Sequence, residues 1–403
     1  MRARVELRRR PRTVLAALVL ALATALAAAG AELPLTGNGR SPAVAANGDR
    51  LVVAWLVPDA FGGGAVWAQR WRDGRALGAP FLVAANGGRV PQRPAVALGA
   101  RGDFVVVWQQ TGPFGAASVV GRVVRANDRP LGGVLRLSAD GERAERPRVA
   151  IGGDGRFVVA WDSGGDDAPA RPRLALFSPR GAPIGRPTTL PAAGEQANEI
   201  GGLAVTGTSI FVGWTEYASC GFGTPGGVGA VAAFDGSLHA LGAVARVTSV
   251  DPCDSGPRVV GLVASDLAVL AVFEGQAETM QRFSPTTGVA TGDPVTVADL
   301  PDCNDTDCER GRLVTGDRRG RFVLVTELAR EVPDGGRFDL FANLFGRDGR
   351  PRSPRTPVDS VASTMPQNPA AVLLADGTLA TVWEQRSSGA GPVGLVIRLL
   401  RLR

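Results

Sequence analysis

Carboxylates recur at one place in this chain, just beyond the end of a short apolar strand. Asp162, Glu216, Glu274, Glu327 and Glu384 each stand one or two residues after such a strand, and Gln109 takes the same place in another copy. If the copies are equivalent, these side chains form an annulus at one face, with Gln92, Glu145 and Gln367 nearby. An annulus of carboxylates attracts cationic ligands or metal ions. Pairs of carboxylates with separated pKa values are also what hydrolysis of a glycosidic bond needs.

Other chemistry is sparse. The densest set of oxygen ligands is the loop Asp302 to Glu309, where Asp302, Asn304, Asp305 and Asp307 offer hard oxygens to calcium. The spacing is not that of an EF-hand, because the glycine and the distal glutamate of that motif are absent. Nucleophilic catalysis with a histidine base requires a histidine in reach of a serine or cysteine. The chain has a single histidine, His239, in a turn, where an incidental role is the simpler expectation than a catalytic one, and the same count excludes histidine-rich metal sites. The single tyrosine, Tyr217, stands beside Glu216. A tyrosine nucleophile with an arginine cluster is the sialidase arrangement, but the Ser-x-Asp-x-Gly-x-x-Trp repeat of those enzymes is missing. A polar loop start is the simpler expectation for this pair.

The elements that must position these residues repeat. Leu51–Trp55, Phe104–Trp108, Phe157–Trp161 and Ile210–Trp214 follow one another every 53 residues. Val269–Phe273 and Phe322–Thr326 are degenerate copies, and Leu379–Trp383 is a seventh. Self-similarity at a fixed period marks a repeat architecture. Each unit reads as four short strands. In the second, Arg93–Ala97 precedes a Gly/Asp turn, the apolar strand Phe104–Trp108 follows, and Ser118–Val124 and Val134–Ser138 complete the set. The apolar strand is hydrophobic on both faces, as a strand covered on both sides must be. One such meander cannot bury both faces alone, whereas seven arranged radially can. The seventh unit stops after Gly394–Leu400, one strand short, and Glu32–Thr36 resembles the missing fourth strand. The expectation is therefore an all-β, seven-bladed β-propeller over residues 32–403, its last blade completed by the N-terminal strand.

The series Pro-x-Val-Ala, Gly-x-Phe-Val-Val-x-Trp and Gly-x-Pro-Leu/Ile-Gly resembles the propeller repeats of secreted bacterial repeat proteins. The resemblance implies the propeller architecture and an extracellular binding or surface role without a shared activity. This chain departs from the pattern at Phe273 and Thr326, where the tryptophan is lost.

The first residues agree with export. Arg2 to Arg12 is strongly basic, Val14 to Ala29 is apolar, and Ala29-Gly30-Ala31 is a small-residue cleavage site, so residues 1–31 read as a signal peptide. The apolar run is short for a membrane span, which needs about 20 residues, and no other stretch of spanning length follows. The expected location is secreted or periplasmic. The chain carries 44 basic and 38 acidic residues. Removing the six arginines and one glutamate of the signal leaves 38 and 37, a near-neutral mature domain that gives no support to nucleic-acid binding. In an exported protein, Cys220, Cys253, Cys303 and Cys308 read as two disulfides, with three possible connectivities. Cys220 follows the second strand of blade four and Cys253 joins blade four to blade five. In a propeller those loops share a face, which favours Cys220–Cys253 and leaves Cys303–Cys308 to close a small loop.

Two tryptophans, Trp67 and Trp71, stand four apart on one strand and so point to one side. They are expected in the packing between blades rather than under a sugar. Taken together, the sequence predicts a non-enzymatic binding or surface module whose protein or glycan partner meets the loop face at the acidic ring. It requires no cofactor. The alternatives are a carboxylate-dependent glycoside hydrolase-like enzyme on that face and a calcium-stabilised structural protein.

Overall fold

The computed structural model describes residues 32–60, 63–112, 115, 117–165, 168–191, 198–218, 226–247, 256–275, 277–298, 307–330, 337–359, 365–386 and 394–402. Seven antiparallel sheets stand in a ring, the seven-bladed β-propeller that the repeat predicts. The inner strands of blades one to seven are Arg40–Asn47, Val90–Leu98, Arg143–Ile151, Asn198–Thr206, Arg258–Ala264, Asp307–Gly316 and Met365–Leu373. Each touches the next, and the seventh touches the first, so the ring closes. Six blades have four strands; in blade one both Arg75–Ala76 and Phe81–Ala85 pair with the third strand. Blade seven takes its outer strand from the N-terminal side: Glu32–Thr36 runs antiparallel to Gly394–Arg401, with Leu33 opposite Ile397.

Among the described residues the core is divided. Seven separate hydrophobic clusters lie between neighbouring blades, one for each interface. The alternation of the second strand explains this. In blade one, Val52 and Ala54 face blade two, while Leu51, Val53 and Trp55 face blade seven. A strand buried on both faces has no polar side, which is why the repeat reads as an unbroken apolar run. Trp55, Trp108, Trp161, Trp214 and Trp383 are fully buried, each wedged against an adjacent blade. Trp67 and Trp71 join the cluster between blades seven and one, as expected.

The interfaces are not identical. Between blades four and five the backbones approach so closely that a Cβ on Gly201 would lie 2.1 Å from the Val259 carbonyl oxygen. Only glycine permits that approach. Between blades one and two, buried Arg70 donates to the carbonyls of Gly102 and Arg125 at 2.6 Å, pairs with Asp128, and lies over the Phe104 ring at 4.7 Å.

Candidate active site at the axial mouth

All seven inner strands carry a β-bulge near their start, where the register slips against the second strand. In four blades the bulged residue has positive φ: Ser41 (47°), Arg93 (47°), Arg146 (51°) and Asn368 (49°). Each precedes a proline, Pro42, Pro94, Pro147 or Pro369, a context that ordinarily holds a residue in the extended region. Left-handed backbone at a non-glycine residue costs roughly 1–3 kcal/mol and persists only where the surroundings enforce it. Proline suits the bulge because it has no N–H to give to the ladder. The bulges bring these residues together around the axis at one mouth of the ring.

Two of these four amides, those of Ser41 and Arg146, are met by a side chain of the preceding blade. Glu384 Oε1 accepts the Ser41 N–H at 2.7 Å, and Gln109 Oε1 accepts that of Arg146 at 3.3 Å. Asp162 Oδ1 accepts from Ile200 N at 3.2 Å, and Thr215 Oγ1 from Val259 N at 3.0 Å. The residue after the repeated strand is thus a tie between blades. It is also paired within its own blade: Arg146 Nε donates to Asp162 Oδ2 at 2.6 Å, Asn368 Nδ2 to Glu384 Oε1 at 2.7 Å, and Arg312 to Glu327. Arg258 stands 4.0 Å from Glu274.

The expected acidic ring is therefore recessed and neutralised. Asp162 is 2 % exposed and Glu384 3 %; Glu327 is buried as well, and Glu274 is half-buried. Glu216 is not in the ring. It stands two residues after its tryptophan, not one, so strand alternation turns it to the other side of blade four. There it accepts from Trp214 Nε1 at 3.1 Å and from both Nε and Nη2 of Arg246, at 2.9 and 3.0 Å. Thr215 holds the ring position instead.

The mouth adds residues that the ring pattern does not contain. Tyr217 turns away from Glu216, and its hydroxyl donates to Glu199 Oε2 at 3.2 Å. Glu199 is the inner-strand residue opposite Thr215, as Arg258 is opposite Glu274. Burial pushes the Tyr217 phenol above its ordinary value; Glu199 adds to the rise, and Arg258 and Arg146 oppose it. Burial likewise pushes Asp162 up to about 6, against the pull of Arg146 and the Ile200 N–H and with a further push from Glu199. Tyr217, Glu199, Arg146, Asp162 and Arg258 thus form one electrostatic unit across blades three to five. Two carboxyl groups, a protonated phenol and two guanidinium groups can exchange a proton at the Tyr217–Glu199 hydrogen bond and hold negative charge beside it.

The remaining candidates lie elsewhere. His239 is exposed in a turn on Asp235, 3.2 Å from its Oδ2. Asp302, Asn304, Asp305, Cys220, Cys253 and Cys303 lie outside the described residues, as does the expected signal segment 1–31. Asp307 and Cys308 open the inner strand of blade six, opposite Arg330 and Ala329. Among the described residues no group of three or more His, Cys, Asp or Glu side chains is placed to hold a metal. No described helix is long and apolar enough to cross a membrane.

No family model matches this chain, and no curated protein matches it. Solved structures do. The chain is similar to a polysaccharide lyase of family PL25, an ulvan lyase solved bound to -[GlcA(1-4)Rha3S]-, with a TM-score of 0.55 over 92% of this chain and 96% of that one at 10% identity. It is also similar to the β-propeller domain of the Trilobed protease from Pyrococcus furiosus, with a TM-score of 0.50 over 92% and 98% of the two chains at 8% identity. A protein of unknown function from Dyadobacter fermentans gives 0.51 at 12% identity over 92% and 98%. These likenesses establish the propeller. They also correct the expectation of a non-enzymatic module: a polysaccharide-cleaving enzyme has this architecture along nearly its whole length, so the fold gives that expectation no support.

Proposed function

We propose that the protein is an exported glycan-processing enzyme that cleaves a glycosidic bond at the axial mouth of the propeller. The observation that carries this reading is the Tyr217–Glu199 hydrogen bond, within electrostatic reach of the guanidinium groups of Arg146 and Arg258. Tyr217 keeps its proton near neutral pH because burial disfavours the phenolate. It is therefore a proton donor at rest, and Glu199 is the base that takes the proton when the phenol oxygen must carry charge. Arg146 and Arg258 then stabilise the negative charge left on the pair. Asp162 acts one step back: it is buried, and it orients Arg146 through the 2.6 Å hydrogen bond to Nε.

The export signal at residues 1–31 and the two expected disulfides belong to the same reading, since extended glycans are met outside the cytoplasm. So does the resemblance of the repeats to those of secreted bacterial propellers.

The test is release of reducing ends from a panel of neutral and acidic polysaccharides by the mature chain. Wild type is expected to cleave at least one. Glu199→Gln and Tyr217→Phe should each lower the rate by roughly 10²–10⁴-fold, as loss of an acid–base group does, with thermal stability unchanged. No cleavage of any member, or full activity in both variants, overturns the reading. A product carrying a new carbon–carbon double bond would replace hydrolysis with elimination.

A further inference from the structure

The mouth is not uniform, and its other side is open. A cavity of about 660 Å³ lies between blades seven, one and two, lined by Arg40, Ser41, Leu56, Gln92, Arg93 and Asn368 among others. Its volume is that of a small-molecule site. One of its lining residues stands out. Leu56 occupies the ring position of blade one, directly opposite Arg40. It has no acceptor for the Arg93 amide, so the tie that crosses from blade seven to one, two to three, three to four and four to five is absent here. The side chains at the opening differ in the same way. Arg40 and Arg93 are exposed, and among the described residues neither guanidinium has an ion pair or hydrogen bond, in contrast to Arg146 and Arg312.

Arg93 also faces like charge. It lies within electrostatic reach of Arg148, which is half-buried and, among the described residues, donates only to the carbonyl of its neighbour Pro147, at 3.3 Å. Burial lowers the Arg148 guanidinium from its ordinary value, and Arg93 and Arg146 push the same way against Asp162 and Glu199. Cations crowded in a recess, two of them without partners, favour an anion between them. The planar guanidinium matches an oxyanion in particular.

We propose that this cavity is a subsite for an anionic substituent of the glycan, a carboxylate or a sulfate ester, held by Arg93 and Arg40. The inference rests on the glycan-processing reading and adds to it the substrate class: an acidic polysaccharide, its charged sugar seated on blades one and two and its scissile bond toward Tyr217 and Glu199. Ser41 and Asn368 line the same cavity and offer uncharged donors to ring hydroxyls. The apolar wall of Leu56 suits the face of a sugar ring.

The experiment is calorimetric binding to the mature chain carrying Glu199→Gln, so that no turnover intervenes. Three trisaccharides of equal length serve as probes: one bearing a uronate carboxylate, one bearing a sulfate ester and one neutral. The acidic probes should bind and the neutral one should bind at least tenfold more weakly. Arg93→Gln should cost roughly ten- to a hundredfold in affinity for the acidic probes, as loss of a hydrogen bond to a charged group does, and Arg40→Gln somewhat less. Arg129→Gln, in an exposed turn, should change nothing. Whether carboxylate or sulfate binds more tightly identifies the substituent. Equal binding of neutral and acidic probes, or full affinity in Arg93→Gln, overturns the subsite. The cleavage assay is independent: charge-dependent binding without cleavage by wild type leaves the subsite standing and removes the enzyme, whereas cleavage without charge-dependent binding does the reverse.

Discussion

Across blades three to five the first residues of the inner strands are engaged: Arg146 with Asp162, Glu199 with Tyr217, Arg258 with Glu274. Across blades one and two the same positions hold Arg40 and Arg93, which have no such partner among the described residues, above a cavity. The backbone is alike on both sides, with the same bulge and, at Arg93 and Arg146, nearly the same positive φ. The difference comes from the ring residue of the preceding blade. In blades seven, two, three and four that residue accepts an amide of the next blade; Leu56, in blade one, has no acceptor to offer and lines the cavity. A repeat thus supplies a frame of equivalent positions, and a single substitution in the ring decides whether a position is structural or available to a ligand.

The sharpest way to break the comparison is to remove a tie on the engaged side. Asp162→Ala would leave the half-buried Arg146 guanidinium and the Ile200 amide without their buried acceptor. Breaking a buried pair by deleting one partner costs about 3–5 kcal/mol, so the midpoint of denaturant unfolding should fall markedly. The matching change on the open side, Arg93→Gln, removes a side chain that bonds to no described residue and should alter stability by no more than about 0.5 kcal/mol. Equal losses in the two variants would mean that the halves of the mouth are not different in kind.

A smaller effect concerns pH. Burial raises Asp162 to about 6 in the folded protein, against about 3.9 in an unfolded chain. The folded state therefore holds this proton more tightly. Its contribution to stability is fully present below about pH 4 and is lost as the pH rises through about 6. Asp162→Asn keeps the acceptor for Ile200 and cannot titrate. The stability of wild type relative to this variant should fall between pH 4 and 6.5 and then level off. A difference that rises over that range would show that Arg146 outweighs burial.

The propeller was legible because it rests on period. A 53-residue spacing, strands apolar on both faces, and a missing last strand matched by an N-terminal one are all properties of the chain read in order. The site was less so. Counting one residue past each tryptophan gives Asp162 and Glu384, but in blade four it gives Thr215, and the carboxylate one step further, Glu216, faces the other way. Charge type alone does not carry the direction of a side chain. Nor could the sequence show that the ring is recessed, since the bulges that fold it inward are a property of paired strands. A signal for the site in the chain is the residue before the repeated proline, Ser41, Arg93, Arg146 or Asn368, which recurs with the motif and has positive φ in every case. Tyr217 was visible as a singular residue, but its partner Glu199, eighteen positions away, follows only from strand register.

The comparison sharpens most finely at Leu56 itself. Leu56→Glu would make blade one resemble blade seven, where Glu384 both accepts the next amide and pairs with a polar side chain at the bulge. Two effects oppose each other in stability. Burial of the leucine is worth about 1.5–3 kcal/mol, while a new hydrogen bond to a charged acceptor returns about 1.5–3. The net change should be small, within about 1.5 kcal/mol. Ligand binding has no such cancellation. A carboxylate at this position would occupy Arg93 and Arg40 from within and compete with any external anion, so affinity for an acidic trisaccharide should fall at least tenfold while that for a neutral one holds. If the variant is stable and still binds the acidic probe as tightly as its parent, then the open ring position is not what makes blades one and two receptive, and the contrast between the halves of the mouth loses its cause.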